Sequence, residues 1–270
     1  MLDLKEIDRE LNLYVRPSSF PLAIKACRSL EEIPPKAKSP KKDMGMRIPL
    51  CQGIGMARRY GWTVAMTKQD VYCSALIAMG FHKPTDFTPQ DFYDEGKLCA
   101  GAYYTATDEA GAKTEQATMK FDHNEYHGFV FSPLFRAAFE PDVILVYGDP
   151  AQTMRMGLGA LHMQGGVLEA TFSGRLGCSQ IIVRPIRTGE CQFVLPGMGE
   201  RMYASTQDHE MAFAIPKEKI EEFMEGLRGT HKGGLRYPIP TFLRYPPIYI
   251  PVYHEFFDSA TSSSENEPHV

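Results

Sequence analysis

Residues 142–152, Asp-Val-Ile-Leu-Val-Tyr-Gly-Asp-Pro-Ala-Gln, are the clearest indication of the fold class. The first seven residues contain an unbroken apolar run, which is typical of a short buried strand. Pro150 then fits the first position of a helix, where its missing N–H leaves no hydrogen bond unmade. That helix is predicted to continue to about His162. A buried strand that turns directly into a helix indicates an α/β protein.

The N-terminal half predicts the same order of elements. We expect a first set of strand 20–27, helix 51–60, strand 62–66 and helix 70–79, and a second set of strand 142–148, helix 151–163, strand 167–172 and helix 178–187. The predicted fold is therefore α/β, with mixed sheets and helices, in two pseudo-repeated βαβα halves related by approximate internal duplication. This order of elements recurs in many α/β proteins, so the sequence supports internal duplication and chance recurrence about equally.

The chain is predicted to form one α/β domain over residues 1–258. It would contain the two similar halves, at about 15–80 and 140–190, together with inserted and C-terminal elements. Residues 259–270 are rich in Ser, Thr and Glu, and this composition predicts a disordered tail.

Composition excludes several classes of protein. The 270 residues are 43% hydrophobic and 23% charged with a net charge of −4, which argues against nucleic acid or an anionic membrane as a partner. No apolar run approaches the roughly 20 residues of a membrane-spanning helix. The acidic, amphipathic start of the chain does not resemble a secretory signal. We therefore expect a cytoplasmic protein.

Three of the six cysteines are the main functional clue. Cys51 opens a predicted helix that Gly61 ends, while Cys73 and Cys178 sit in similar settings, Cys-Ser-Ala-Leu-Ile and Cys-Ser-Gln-Ile-Ile. Thiols near helix N-termini ionise more readily, and the thiolate is the form that binds metals or attacks substrates. No CxxC is present, so a metal site would need distant segments. The alternative is that these cysteines are small buried core residues.

Charged residues supply weaker candidates. Arginines are candidates for binding an anionic substrate, and Glu200 and Glu210 are candidates for acid–base groups. The arginines in question are Arg58, Arg59, Arg155 and Arg201. The sequence does not show that these side chains converge, and surface salt bridges are the default interpretation.

Several short motifs together resemble a known family. They are Cys51-Gln52 with Ala57-Arg58 and Gly61, Cys73 before Gly80, Pro150-Ala151-Gln152, Cys178, Pro196 to Arg201, and Glu210 to Pro216. From about residue 5 to 228 the chain is similar to the uncharacterised family called domain of unknown function 169, found in archaea and mostly anaerobic bacteria.

The resemblance implies cysteines at the positions of Cys51, Cys73 and Cys178, and an anaerobic setting in which oxygen-sensitive clusters survive. It implies no known reaction. Glu200 stands where the family pattern leads us to expect Asp, a change that keeps the acid.

We predict a cysteine-ligated metal protein that holds a [4Fe–4S] cluster through Cys51, Cys73 and Cys178. The fourth iron would be free for substrate, water or a non-cysteine ligand such as Gln152 or His162. Gln52 and Gln152 would donate hydrogen bonds to cluster sulfides. The cluster would serve redox or Lewis-acid chemistry, with a small-molecule substrate or a redox protein as partner. The sequence does not decide whether the chain is an enzyme or a homo-oligomer.

Three alternatives remain at this point. In the first, the protein is an enzyme that uses Cys51 as its nucleophile. In the second, it is a metal-free binding protein for a small anionic or tetrapyrrole-like ligand. In the third, it is a structural or assembly partner whose cysteines only fill the core.

Overall fold

A computed structural model describes residues 2–87, 92–239 and 249–264. The described residues form one six-stranded sheet in the order β2-β3-β1-β4-β6-β5, and every neighbouring pair is antiparallel. The strands are β1 (Leu22–Cys27), β2 (Val64–Thr67), β3 (Gly128–Pro133), β4 (Val143–Gly148), β5 (Gln192–Val194) and β6 (Met211–Pro216). The prediction of a mixed α/β fold is confirmed, with an antiparallel sheet.

Eleven α-helices lie among the described residues. They are α1 (Leu4–Tyr14), α2 (Pro40–Met44), α3 (Leu50–Tyr60), α4 (Ala75–Ala78), α5 (Lys97–Gly101), α6 (Asp108–Ala117), α7 (Pro150–Leu161), α8 (Arg184–Thr188), α9 (Met198–Tyr203), α10 (Ile220–Lys232) and α11 (Pro251–Ser264). A π-helical turn, Ser179–Val183, leads directly into α8. In the described part of the chain, none of these helices is both long and apolar enough to cross a membrane.

The sheet separates two apolar cores, because alternate residues of each strand point to opposite faces. Leu145 of β4 packs in the core with α3, α4 and the π-helical turn, whereas Ile144 packs in the core with α1, α7 and α10. β3 and β4 are buried along their whole length. The protein is therefore a three-layer structure with helices on both faces of the sheet.

Two helix ends form as the sequence predicts. Pro150 is the first residue of α7, and the Asp149 carboxylate accepts the Gln152 N–H at 2.7 Å as its N-cap. Gly61 ends α3 in the left-handed conformation, with a φ of 72°. These two helices begin or end where local chemistry dictates, and the sheet packs between them.

The prediction of a strand at 167–172 is wrong. The chain there is irregular and largely exposed, with Val167 82% accessible to solvent. The predicted helix 70–79 is reduced to the single turn α4, so that Cys73 precedes the helix instead of lying in it. Asp70 accepts hydrogen bonds from the Thr67 N–H and hydroxyl at 3.0 and 2.6 Å, which stabilises a turn.

The helix predicted at 178–187 forms in a different way. It consists of the π-helical turn followed by α8, which contains Pro185 and continues to Thr188. A π-turn widens the helix locally and accommodates a residue that lacks an N–H.

The internal duplication is not confirmed, since the second half lacks its predicted strand 167–172. At the C-terminus, α11 extends to Ser264, so the first part of the predicted disordered tail is helical. The rest of that tail, residues 265–270, lies outside the described residues.

α7 and α10 approach each other closely because both carry glycine at their crossing. A Cβ built on Gly226 would lie 1.9 Å from the carbonyl oxygen of Gly159. Beside this contact, the buried guanidinium of Arg155 donates to Thr230 Oγ1 and to the Leu227 carbonyl, each at 2.7 Å. The two helices are therefore fixed by steric fit and by buried hydrogen bonds.

Replacing Gly226 by Ala should destabilise the protein by about 1–3 kcal/mol, because the added methyl group forces backbone apart in a packed core. Urea unfolding monitored by circular dichroism measures this change. Gly101→Ala is the matched control, since a Cβ there meets nothing within 4 Å. Equal stability of the two variants would contradict this account of the α7–α10 contact.

Candidate functional site

Cys51, Cys73 and Cys178 line one cavity of about 280 Å³. We call it the cysteine cavity. It opens on the face of the sheet that carries α3. The other residues that line it include Leu50, Ser74, Tyr104, Arg175, Gly177, Met198, Gly199, Glu200 and Tyr203. The fold thus brings together three cysteines that are 22 and 105 positions apart in the chain.

Each cysteine reaches the cavity from a different element. Cys51 is the second residue of α3, and its thiol donates to the Gly199 carbonyl at 3.5 Å. Cys73 lies in the turn between β2 and α4, and Cys178 lies directly before the π-helical turn. Cys178 is buried, whereas Cys51 and Cys73 are partly exposed. The three cysteines therefore reach the cavity from the start of α3, from the turn before α4 and from the residue that precedes the π-helical turn.

Burial keeps the three thiols protonated in the free protein. It raises the pKa of Cys51, and the nearby charges of Glu200 and Cys73 raise it further. Burial likewise raises the pKa of Cys73 and of Cys178, and the pKa of Cys178 is also raised by Cys73 and Glu200. These mutual effects place the three sulfur atoms and the Glu200 carboxyl in one electrostatic environment.

Glu200, which the sequence marks only as a candidate acid–base group, lines the cysteine cavity. It lies in α9 and is 3% exposed, and its Oε2 accepts the Gly197 N–H at 3.0 Å. Its Oε1 is buried and has no hydrogen-bond partner. Burial raises the pKa of this carboxyl. The Gly-x-x-Glu spacing at the start of α9 is the local signal for this arrangement, since a Glu at that position caps the helix.

Arg175 brings a positive charge to the cavity wall. It forms an ion pair with Glu115, and its side chain is only 8% exposed. It also donates to Ser74 Oγ at 3.2 Å, beside Cys73. Glu115 in turn accepts the Cys99 thiol at 3.2 Å. Cys99 is thus tied into this ion-pair group and does not line the cysteine cavity.

The other predicted cofactor-binding residues lie elsewhere. Gln152 donates to the carbonyl oxygens of Val15 and Arg16 at 3.1 and 2.6 Å, which anchors the start of α7. His162 packs against α10, where a Cβ on Gly229 would meet its Nε2 at 2.2 Å. Neither side chain lines the cysteine cavity, nor does Gln52.

α3 is held against the segment that follows α9 by a buried ion pair. Arg58 donates to both oxygens of Glu210 at 2.8 and 2.9 Å, and Arg59 adds a further pair at 2.9 Å. On the same side of α3, a Cβ on Gly55 would lie 2.8 Å from the Ala204 carbonyl. We call these contacts the α3–α9 clamp. It places Cys51 and Glu200 side by side.

Within residues 2–87, 92–239 and 249–264, no group of three or more His, Cys, Asp or Glu side chains is arranged to hold a metal ion. The three thiols share a cavity without converging on one point. The arrangement therefore does not match a single-ion site such as a structural zinc, whose ligands surround one atom.

The chain belongs to the family described as domain of unknown function 169, uncharacterised ArCR, which it matches over residues 10–226. The sequence is also 28% identical over 208 residues to the uncharacterised protein MJ0308 of Methanocaldococcus jannaschii, covering 76% of this chain and 85% of that protein. No solved structure shows significant similarity to the chain. The predicted family resemblance is confirmed.

Replacing Glu210 by Gln should cost about 3–5 kcal/mol at neutral pH, because it leaves Arg58 buried without a counter-charge. Burial alone would raise the pKa of Glu210, but hydrogen bonds and charges from Arg58 and Arg59 outweigh it and lower that pKa. The stabilisation is therefore present above the unfolded pKa of about 4.3 and is lost as pH falls through the lower folded value.

Urea unfolding at pH 7 and at about pH 3 tests this expectation, and the two proteins should differ less at the acidic pH. Glu10→Gln is the control, since its partner Arg228 is half exposed and the loss should be about 1 kcal/mol or less. A Glu210→Gln variant as stable as the control at pH 7 would show that the clamp contributes little.

Proposed function

We propose that this protein binds a [4Fe–4S] cluster through Cys51, Cys73 and Cys178. The observation that carries the proposal is that these three thiols, distant in sequence, line one cavity. Cysteine thiolates are the usual protein ligands of such clusters. Three cysteines would leave one iron for another ligand or a substrate.

The type of side chain at the cavity is the one that a cluster uses. In a cluster each thiolate binds a different iron, so the ligands surround a group of atoms instead of one. Three cysteines from separate segments that line one cavity would supply one thiolate to each of three irons.

A metal centre would also supply the positive charge that three thiolates need. Apart from the paired Arg175, the described lining residues bring no cation to the thiols. Three thiolates there would be uncompensated, because buried charges require a counter-charge or a metal. Coordination to metal deprotonates a thiol outright, and the proton is released on binding.

The surroundings suit access by a small molecule or by a redox protein. When bound, the cluster would supply electron transfer or an open Lewis-acidic iron. Tyr104, Met198 and Tyr203 line the cavity and are 42%, 55% and 51% exposed, so its opening is aromatic and apolar. These side chains would limit water around the thiols and contact the partner. We place this chemistry in anaerobic metabolism and in the cytoplasm.

The two halves of the chain both contribute to the proposed centre. Cys51 and Cys73 come from the first half, and Cys178 comes from the second. β1 and β4, which begin the two halves, pair antiparallel at the middle of the sheet. This supports, as part of the proposal, an approximate duplication with the cluster between the halves.

A cysteine-nucleophile enzyme has less support. In the described residues the cavity wall contains no histidine to act as a base, and burial raises the pKa of Cys51 instead of lowering it. The other alternative is a metal-free binding protein, and the following experiment distinguishes it from a cluster protein.

Protein purified without exposure to oxygen should be brown and contain about four iron and four sulfide per chain. Each of the three single variants, with Cys51, Cys73 or Cys178 replaced by Ser, should contain much less iron, because a hydroxyl is a poor ligand for iron in such clusters. Iron and sulfide analysis with an absorption spectrum measures the change.

Cys191→Ser is the matched control, because Cys191 packs in the core on the opposite face of the sheet. This substitution should leave the iron content unchanged. A wild-type chain without iron, purified and kept anaerobic, would reject the proposal. Retention of iron in all three cavity variants would assign the cluster to other ligands.

A further inference from the structure

Glu200 lines the cysteine cavity and has one carboxyl oxygen without a hydrogen-bond partner. The residue lines that cavity and is 3% exposed, so its carboxyl is almost completely removed from bulk water. The Gly197 N–H holds Oε2 at 3.0 Å, which fixes the orientation of the group. Oε1 is buried and accepts no hydrogen bond. A buried carboxyl oxygen without a partner costs free energy unless it binds a cation or a donor.

The backbone places this carboxyl between two of the cysteine segments. A Cβ on Gly177 would lie 2.0 Å from Glu200 Oε1, so the oxygen packs directly against the residue before Cys178. On the other side, the carbonyl of Gly199 accepts the Cys51 thiol at 3.5 Å. Glu200 thus packs against the residue that precedes Cys178, and it follows the residue whose carbonyl contacts Cys51.

No side-chain cation satisfies Glu200 within the described residues. The adjacent Arg201 donates to the carbonyl of Gln207 at 2.5 Å, and the cavity-lining Arg175 is paired with Glu115. Buried charges in proteins are paired or coordinate metals. Carboxylate oxygen is an established metal ligand, and in mixed sites it occurs beside sulfur and nitrogen ligands.

We infer that Glu200 is the fourth protein ligand of the metal centre, binding through Oε1 to the iron that the three cysteines leave without a thiolate. The inference rests on the proposed cluster at Cys51, Cys73 and Cys178. It replaces Gln152 and His162 in that position, because neither side chain lines the cavity. A carboxylate is exchangeable, so a substrate that enters the cavity would compete with Glu200 for this iron.

Anaerobically prepared Glu200→Gln tests the assignment, with Mössbauer spectroscopy of the ⁵⁷Fe-enriched protein and the rate of iron loss under mild oxidation as readouts. The variant keeps three cysteines and should keep its cluster, but the signal of one iron should change. That iron should be lost at least about tenfold faster than in the wild type. Even the loss of a residue that only supports a metal ligand typically lowers metal affinity by about 10–100-fold.

Two further variants separate a ligand role from a structural one. Gly177→Ala leaves the carboxylate in the chain but displaces Oε1, so it should also accelerate iron loss. Glu10→Gln removes a buried carboxylate that pairs with Arg228 and does not line the cavity, so it should behave as wild type. Circular dichroism confirms that each variant is folded.

The outcomes are distinguishable. A wild type without iron would defeat the proposed cluster itself. A wild type with iron whose Glu200→Gln variant shows the same Mössbauer signals and the same rate of iron loss would overturn only the role of Glu200. If folded Glu200→Gln binds no iron, recovery of iron in Glu200→Cys would support the ligand role, and failure to recover it would contradict that role.

Discussion

The candidate site depends on the α3–α9 clamp, the buried contact of Arg58 and Arg59 with Glu210 and of Gly55 with Ala204. Glu210 is 1% exposed and accepts hydrogen bonds from both arginines, so separating the partners would leave a buried charge uncompensated. The glycine allows the helix to approach the opposing backbone closely. Together these contacts fix α3 relative to α9, and therefore fix the first cysteine relative to the cavity carboxyl.

The clamp has a consequence for the chemistry of the cavity. It presses a helix N-terminus, two loop segments and a short helix into one wall, and leaves a space of about 280 Å³ between three thiols and a carboxyl. The resulting wall is short of positive charge, and burial holds the thiols protonated. In the proposed function, a metal centre would displace the thiol protons and supply the positive charge that the resulting thiolates need.

The sequence predicts the helix ends and buried strands that depend on neighbouring residues in the chain. Gly61 ends α3 and Pro150 begins α7 as expected, and the apolar run at 143–148 is a buried strand. The strand predicted at 167–172 fails because strand propensity needs a neighbouring strand, and this segment lies exposed between glycines with positive φ at 166 and 174. The clamp joins residues 152 positions apart, so no local pattern indicates it. Glu200 was recognisable as an acid, but its position beside the thiols depends on that distant contact.

Iron K-edge X-ray absorption of the anaerobically isolated chain reports the atoms that surround the metal and is therefore the decisive measurement for the proposed cluster. We expect a first shell dominated by sulfur, together with an iron–iron scattering vector from a polynuclear centre. A spectrum without iron, or one in which iron is surrounded by nitrogen and oxygen alone, would contradict it.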